Sequence, residues 1–211
     1  MVWISIEGSI GSGKTTVIDE MIDTHSTPNI GIYKEPIVEW KSYLDLFYSD
    51  KIKYGFMMQT RVIVSFSKIY KSFANKKLAI TERSSYSSQN VFTRMLFDQG
   101  LLTPEEVKLL VEIVETTHFQ THPQPQKKLQ PDYFIYLRTN PEVCYQRIIN
   151  RNDKPIDFNY LKSLCHYHDK IFLNKPNVFV IDTSNIDRST VKKKVTDFIR
   201  SVHYLNSRNK L

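Results

Sequence analysis

The chain has 211 residues, of which 41% are hydrophobic and 24% charged, and its formal net charge is +7. This composition excludes a disordered, collagen-like or linker-like chain, and the length suits one domain that needs no disulfide or metal staples. The charge suits nucleic acid, small phosphorylated ligands or a plain solvated basic surface, and nucleic acid is the less favoured because Lys127-Lys128 and Lys192-Lys193-Lys194 lack the interleaved aromatics of a single-strand platform.

Val2–Ile6 is a short β-rich run, followed by a glycine-rich turn and a helix from Lys14 to about His25. Ile30–Lys34 reads as a second strand, stopped by Glu35-Pro36. Helices are predicted over Trp40–Phe47 and from Lys51 to about Ala74, where Phe56, Gln59, Ile63, Phe66 and Tyr70 recur at helical spacing. Leu78–Thr81 is a third strand. Thr103 caps and Pro104 opens the next helix. Thr121–Pro131 is a proline-rich loop, and Asp132–Leu137 a fourth strand. Asn140 is the expected cap of a helix from Pro141 to about Arg151, which Asn152–Pro155 breaks. Leu161–Phe172 is helical, Val178–Ile181 a fifth strand, and Ser189–Tyr204 a basic closing helix. The alternation predicts an α/β fold, with a five-stranded parallel sheet between two helical layers and ligands at the carboxyl ends of the strands.

The first turn, Gly8-Ser9-Ile10-Gly11-Ser12-Gly13-Lys14-Thr15, fits G-x-x-x-x-G-K-[ST] at every fixed position. A strand precedes it and a helix follows, as a phosphate loop requires. Its amides would converge on phosphate oxygens at a helix N-terminus, Lys14 would neutralise the β- and γ-phosphates, and the Thr15 hydroxyl would ligate Mg2+. The length and the absence of an N-K-x-D guanine signature favour a small kinase over a motor or GTPase. The two cysteines, Cys144 and Cys165, form no metal set, the N-terminus has no basic leader, and no apolar run reaches the ~20 residues of a membrane span. A cytoplasmic protein without a membrane partner is expected.

Four blocks in order give the chain its resemblance to the deoxynucleoside kinase family. They are Gly8–Thr16, Glu35-Pro36 with Trp40, Glu82-Arg83-Ser84 after the third strand, and Ile135-Tyr136-Leu137 leading to Pro141-Glu142 and Arg147. The resemblance implies a single P-loop kinase domain over residues 1–211, with a short lid at about 147–156. It implies transfer of the ATP γ-phosphate to a deoxynucleoside 5′-OH with Mg2+, in a homodimer. By resemblance Glu35 is the general base, Glu82 helps Thr15 hold Mg2+, and Arg83 contacts the 5′-oxygen and the transferring phosphoryl group. Gln59 pairs with the base edge, Trp40 and Phe92 wall it, and Tyr48, next to Phe47, bonds the sugar 3′-OH. Arg147 and Arg151 serve ATP, and Asn185, Ile186 and Asp187 take the place of the loop over adenine.

The lid departs from the family pattern: an arginine position holds Asp153 and a glutamate pair is missing, so Asp153 is a candidate for the lost acid at the 3′-OH. Two further positions, charged in deoxycytidine and deoxyguanosine kinases, are Phe66 and Ser88 here. An uncharged wall accepts a pyrimidine methyl group, which points to thymidine or another pyrimidine. The competing readings are a nucleoside monophosphate kinase such as thymidylate kinase, and a non-catalytic ATP-binding or nucleic-acid-associated protein.

Overall fold

A computed structural model describes residues 1–25, 27–121, 130–151 and 156–208. The strands are β1 (Val2–Glu7), β2 (Ile30–Tyr33), β3 (Leu78–Glu82), β4 (Tyr133–Arg138) and β5 (Val178–Asp182). Between and after them lie α1 (Lys14–His25), α2 (Ile37–Ser49), α3 (Lys51–Lys71), α4 (Ser85–Ser87), α5 (Arg94–Asp98), α6 (Pro104–Thr121), α7 (Pro141–Asn150), α8 (Phe158–Phe172) and α9 (Arg188–Arg208). A π-helical stretch, Ser88–Thr93, joins α4 to α5.

Among the described residues the strands form one sheet in the order β2-β3-β1-β4-β5, and every pairing is parallel. Alternation along β1 separates two cores. Ile4 and Ile6 join Val17, Ile18 and Met21 of α1 and Val195 and Ile199 of α9 on one face. Trp3 joins Phe66 and Tyr70 of α3 and Leu161 and Phe172 of α8 on the other. Ser5 and Glu7 share the Trp3 face by the two-residue period, and both are buried.

Several local expectations change. The segment from Ser85 to Asp98, which carries no predicted element, is helical in three consecutive pieces. Its sequence is rich in serine, which signals turns rather than helix interiors. Asn140 makes no side-chain cap to α7; its N–H instead bonds the Ser184 hydroxyl at 3.0 Å. Thr103 does cap α6, accepting from the Glu106 N–H at 3.2 Å while Glu106 accepts from the Thr103 N–H at 2.8 Å. Residues 122–129 of the proline-rich segment and 152–155 of the lid lie outside the described residues. Among the described residues no helix is long and apolar enough to cross a membrane.

Candidate active site

The carboxyl ends of β1, β2 and β3 open onto one cavity of about 740 Å³. At its phosphate-loop end Lys14 is buried and donates to the Ser9 carbonyl at 2.9 Å. Burial, then the nearby Arg83 cation, pulls the Lys14 ammonium down to a pKa of about 8. A bound phosphate would favour the charged ammonium and push that value back up. Gly11 packs against the backbone of Cys144 in α7.

Glu35 and the Glu82-Arg83 pair leave neighbouring strands. Arg83 takes a left-handed backbone conformation, φ 59°, with its N–H bonded to the Ile6 carbonyl at 3.0 Å. Such a conformation is uncommon for a residue with a side chain, and here it marks the site. The Arg83 Nε lies 3.0 Å from Glu35 Oε1, and its guanidinium sits 4.9 Å over the Phe92 ring. The Glu35 side chain is only 9% exposed. Burial pushes its carboxyl up to about 7 against the opposing pull of Arg83. A carboxylate poised there can accept and release a proton near neutrality.

Glu82 Oε1 accepts from the Thr15 hydroxyl at 2.5 Å, and its Oε2 accepts from the Glu35 N–H at 3.3 Å. A hydroxyl and a carboxylate thus meet beside the phosphate loop. These are hard oxygen donors, and magnesium takes one or two such protein ligands alongside phosphates and water. Among the described residues no group of three or more His, Cys, Asp or Glu forms a metal cage.

The far end of the cavity is mostly apolar. Gln59 of α3 is buried, and the Ser88 hydroxyl donates to its Oε1 at 3.1 Å. The Trp40 indole N–H donates to Ser65 Oγ at 2.8 Å, which fixes the ring as a wall. Phe66 is both core and lining: it packs on Trp40 and Tyr70 and still reaches the cavity. Burial raises the Tyr48 phenol to about 12, so it stays protonated. The cavity therefore gathers Ile10, Gly11, Gly13, Lys14, Thr15, Thr16, Glu35, Trp40, Phe47, Tyr48, Gln59, Phe66, Glu82, Arg83, Ser88, Phe92 and Arg151 from the sequence expectations. Sequence reasoning missed Met58, Val62 and Tyr160. Tyr160 lies in the first turn of α8 and meets Phe47 and Tyr48 edge-on. Nothing in its local sequence distinguishes it from a core aromatic.

Other expected residues lie apart from the cavity lining. Gly8, Ser9 and Ser12 shape the loop behind it. Arg147 of α7 donates to the Thr183 carbonyl at 2.8 Å and the Gly11 carbonyl at 3.4 Å, tying the phosphate loop to the end of β5. Asn185, Ile186 and Asp187 do not line the cavity. Asp187 instead caps α9, accepting from the Thr190 N–H at 2.9 Å and from the Ser189 and Thr190 hydroxyls, which hold its carboxyl well below the usual range. Lys34 pairs with Asp19 at 2.6 Å, leaving Glu35 to Arg83. Asp153 lies outside the described residues.

Residues 4–205, and with them nearly every element described, match the deoxynucleoside kinase family. The chain belongs to the deoxynucleoside kinase family. This kinase is a phosphotransferase on a P-loop α/β fold, and its family binds ATP and deoxynucleosides. It is 34% identical to protein 029R of Invertebrate iridescent virus 3 over 86% of its own length and 88% of that protein. Human mitochondrial thymidine kinase 2 is 29% identical over 83% of this chain and 66% of its own. Deoxyadenosine kinase of Dictyostelium discoideum is 30% identical over 79% and 65%.

Proposed function

We propose that this kinase transfers the γ-phosphate of ATP to the 5′-OH of a deoxynucleoside, with thymidine or another pyrimidine preferred. The observation that carries the reading is the Glu35–Arg83 pair, 3.0 Å apart between Lys14 and the Gln59–Ser88 pocket. Glu35 accepts the 5′-OH proton as that oxygen attacks the γ-phosphorus. The bond to the β-phosphate oxygen breaks, and its electron pair leaves with ADP. Lys14 and Arg83 stabilise the charge that spreads over the phosphoryl oxygens, with Arg151 and Arg147 on the ATP side. Thr15 and Glu82 are the residues that would hold Mg2+, which neutralises phosphate charge when bound. Gln59, its carbonyl engaged by Ser88, addresses the base edge between Trp40 and Phe92, and Tyr48 addresses the sugar.

The pyrimidine preference rests on the uncharged Phe66 and Ser88. Among the named relatives stand both a thymidine kinase and a deoxyadenosine kinase, so the base is the point to measure. The test is kcat/KM for thymidine, deoxycytidine, deoxyadenosine and deoxyguanosine with ATP and Mg2+, and for thymidine monophosphate as a rival acceptor. A pyrimidine is expected first, by a margin of about 1–3 kcal/mol. A purine at the head of the ranking overturns the preference, and transfer to the monophosphate alone overturns the nucleoside reading.

The same reading takes residues 1–211 as one domain with its lid at about 147–156. It assigns the 185–187 loop to the adenine side and Asp153 to the sugar. It places the enzyme in the cytoplasm, where the free thiols of Cys144 and Cys165 are stable. It makes the enzyme a homodimer.

A further inference from the structure

Arg83 is gripped from a second side by a group that does not belong to the cavity lining. His168, on α8, is fully buried. Its Nδ1 lies 2.7 Å from the Leu164 carbonyl oxygen, and its Nε2 lies 3.2 Å from Arg83 Nη1. A carbonyl can only accept and a guanidinium can only donate. The ring hydrogen therefore sits on Nδ1 and the lone pair on Nε2, which is a single neutral tautomer. Burial, then the Arg83 and Lys14 cations, holds the ring well below the usual histidine range. Packing fixes its plane. The ring stacks on Tyr136 at 11° and meets Phe92 at 88°, and Phe92 lies beneath the same guanidinium. The Tyr136 hydroxyl in turn donates to Asp169 Oδ1 at 2.7 Å, one residue along α8.

An imidazole that stays neutral and donates its one hydrogen to a carbonyl is no acid or base for the reaction. It is well built to fix a guanidinium. The Arg83 Nε is tied to Glu35, the group that on the proposed reading must turn to a nucleoside hydroxyl. A guanidinium held only by Glu35 would be released at the moment it is needed. We propose that His168 is a positioning residue, whose Nε2 keeps the Arg83 guanidinium aimed at the transferring phosphoryl group while Glu35 engages the nucleoside. The proposal rests on the assignment of Arg83 to that group.

The test uses the full chain and three variants, His168→Phe, His168→Gln and Arg83→Ala, with the His168→Phe/Arg83→Ala double variant. Phenylalanine keeps the ring packing and removes the acceptor, whereas the glutamine carbonyl keeps an acceptor. His168→Phe is expected to lower kcat by about tenfold or more while KM for nucleoside and ATP stays within about threefold. His168→Gln is expected to recover most of that loss. In the Arg83→Ala background, His168→Phe is expected to cost nothing further, because the two residues act as one unit. Equal losses in the phenylalanine and glutamine variants, or an undiminished loss without Arg83, overturn the proposal. Full activity of Arg83→Ala overturns the Arg83 assignment itself, a different failure. Nitrogen-15 NMR of the histidine rings decides without any substitution. The Nδ1–H tautomer, unchanged across the neutral range, supports the proposal, and a titrating ring or the opposite tautomer sinks it.

Discussion

Glu35 and Glu82 leave adjacent strands and meet where the Glu35 N–H donates to the Glu82 carboxylate, yet their partners divide their chemistry. Glu82 holds the Thr15 hydroxyl, whereas Glu35 is buried against a single guanidinium. Burial raises Glu35 to about 7. A general base works deprotonated, so on the proposed base role activity is expected to be full above that pH and to decline below it. For the unmodified enzyme, kcat/KM for the nucleoside is expected to fall about tenfold per pH unit on the acid side of neutrality. Glu35→Gln keeps the shape but accepts no proton. Its kcat is expected to fall about 100-fold or more with nucleoside affinity little changed, and the acid limb is expected to disappear. An intact limb in the glutamine variant would assign the limb to another group. The residue was legible in the sequence from its place at a strand end, together with the family blocks. Its proton affinity was not, because burial and the approach of Arg83 come from chain distant in sequence.

At the scale of elements, the phosphate loop was readable because its pattern is local: strand, glycine turn, lysine, helix. What presses on the loop was not. Gly11 has φ +83°, and a Cβ there would stand 2.6 Å from the Cys144 carbonyl oxygen of α7. Gly100 shares a left-handed φ, +69°, with open space around it, so it serves as a control. Gly100→Ala is expected to cost backbone strain alone, about 1 kcal/mol. Gly11→Ala adds a clash with backbone that cannot rotate away, and a thermal melt is expected to drop by at least about 5 °C more than in the control. Equal melting points would show that α7 gives way freely. The π-helical stretch Ser88–Thr93 was illegible for a related reason. A π turn is chosen by tertiary demands, here the delivery of Ser88 to Gln59 and of Phe92 to Arg83.

For the whole molecule, α3 and α6 pack along one another, and α6 leaves Leu109 and Val111 exposed at 45% and 40%. On the homodimer reading the flank of α6 that carries Leu109 belongs to the subunit contact. Leu109→Glu is expected to shift the light-scattering mass from two chains to one with the circular dichroism unchanged; a single-chain mass in the unmodified protein defeats the dimer reading. By itself, the sequence determined the α/β alternation, the phosphate loop and the order of the family blocks, and it supplied Lys14, Thr15, Glu35, Glu82 and Arg83 as the reacting set proposed above. The alternation follows from periodicity and the phosphate loop from a short motif whose chemistry needs fixed neighbours, whereas the roles of Glu35, Glu82 and Arg83 come from the family resemblance. Only the tertiary structure decided that Arg83 turns left-handed toward Glu35, that Asp187 caps a helix, that Tyr160 joins the pocket, and that His168 backs the arginine. Each of these depends on which distant segments share a space, and therefore on burial and hydrogen-bond partners that no local pattern encodes.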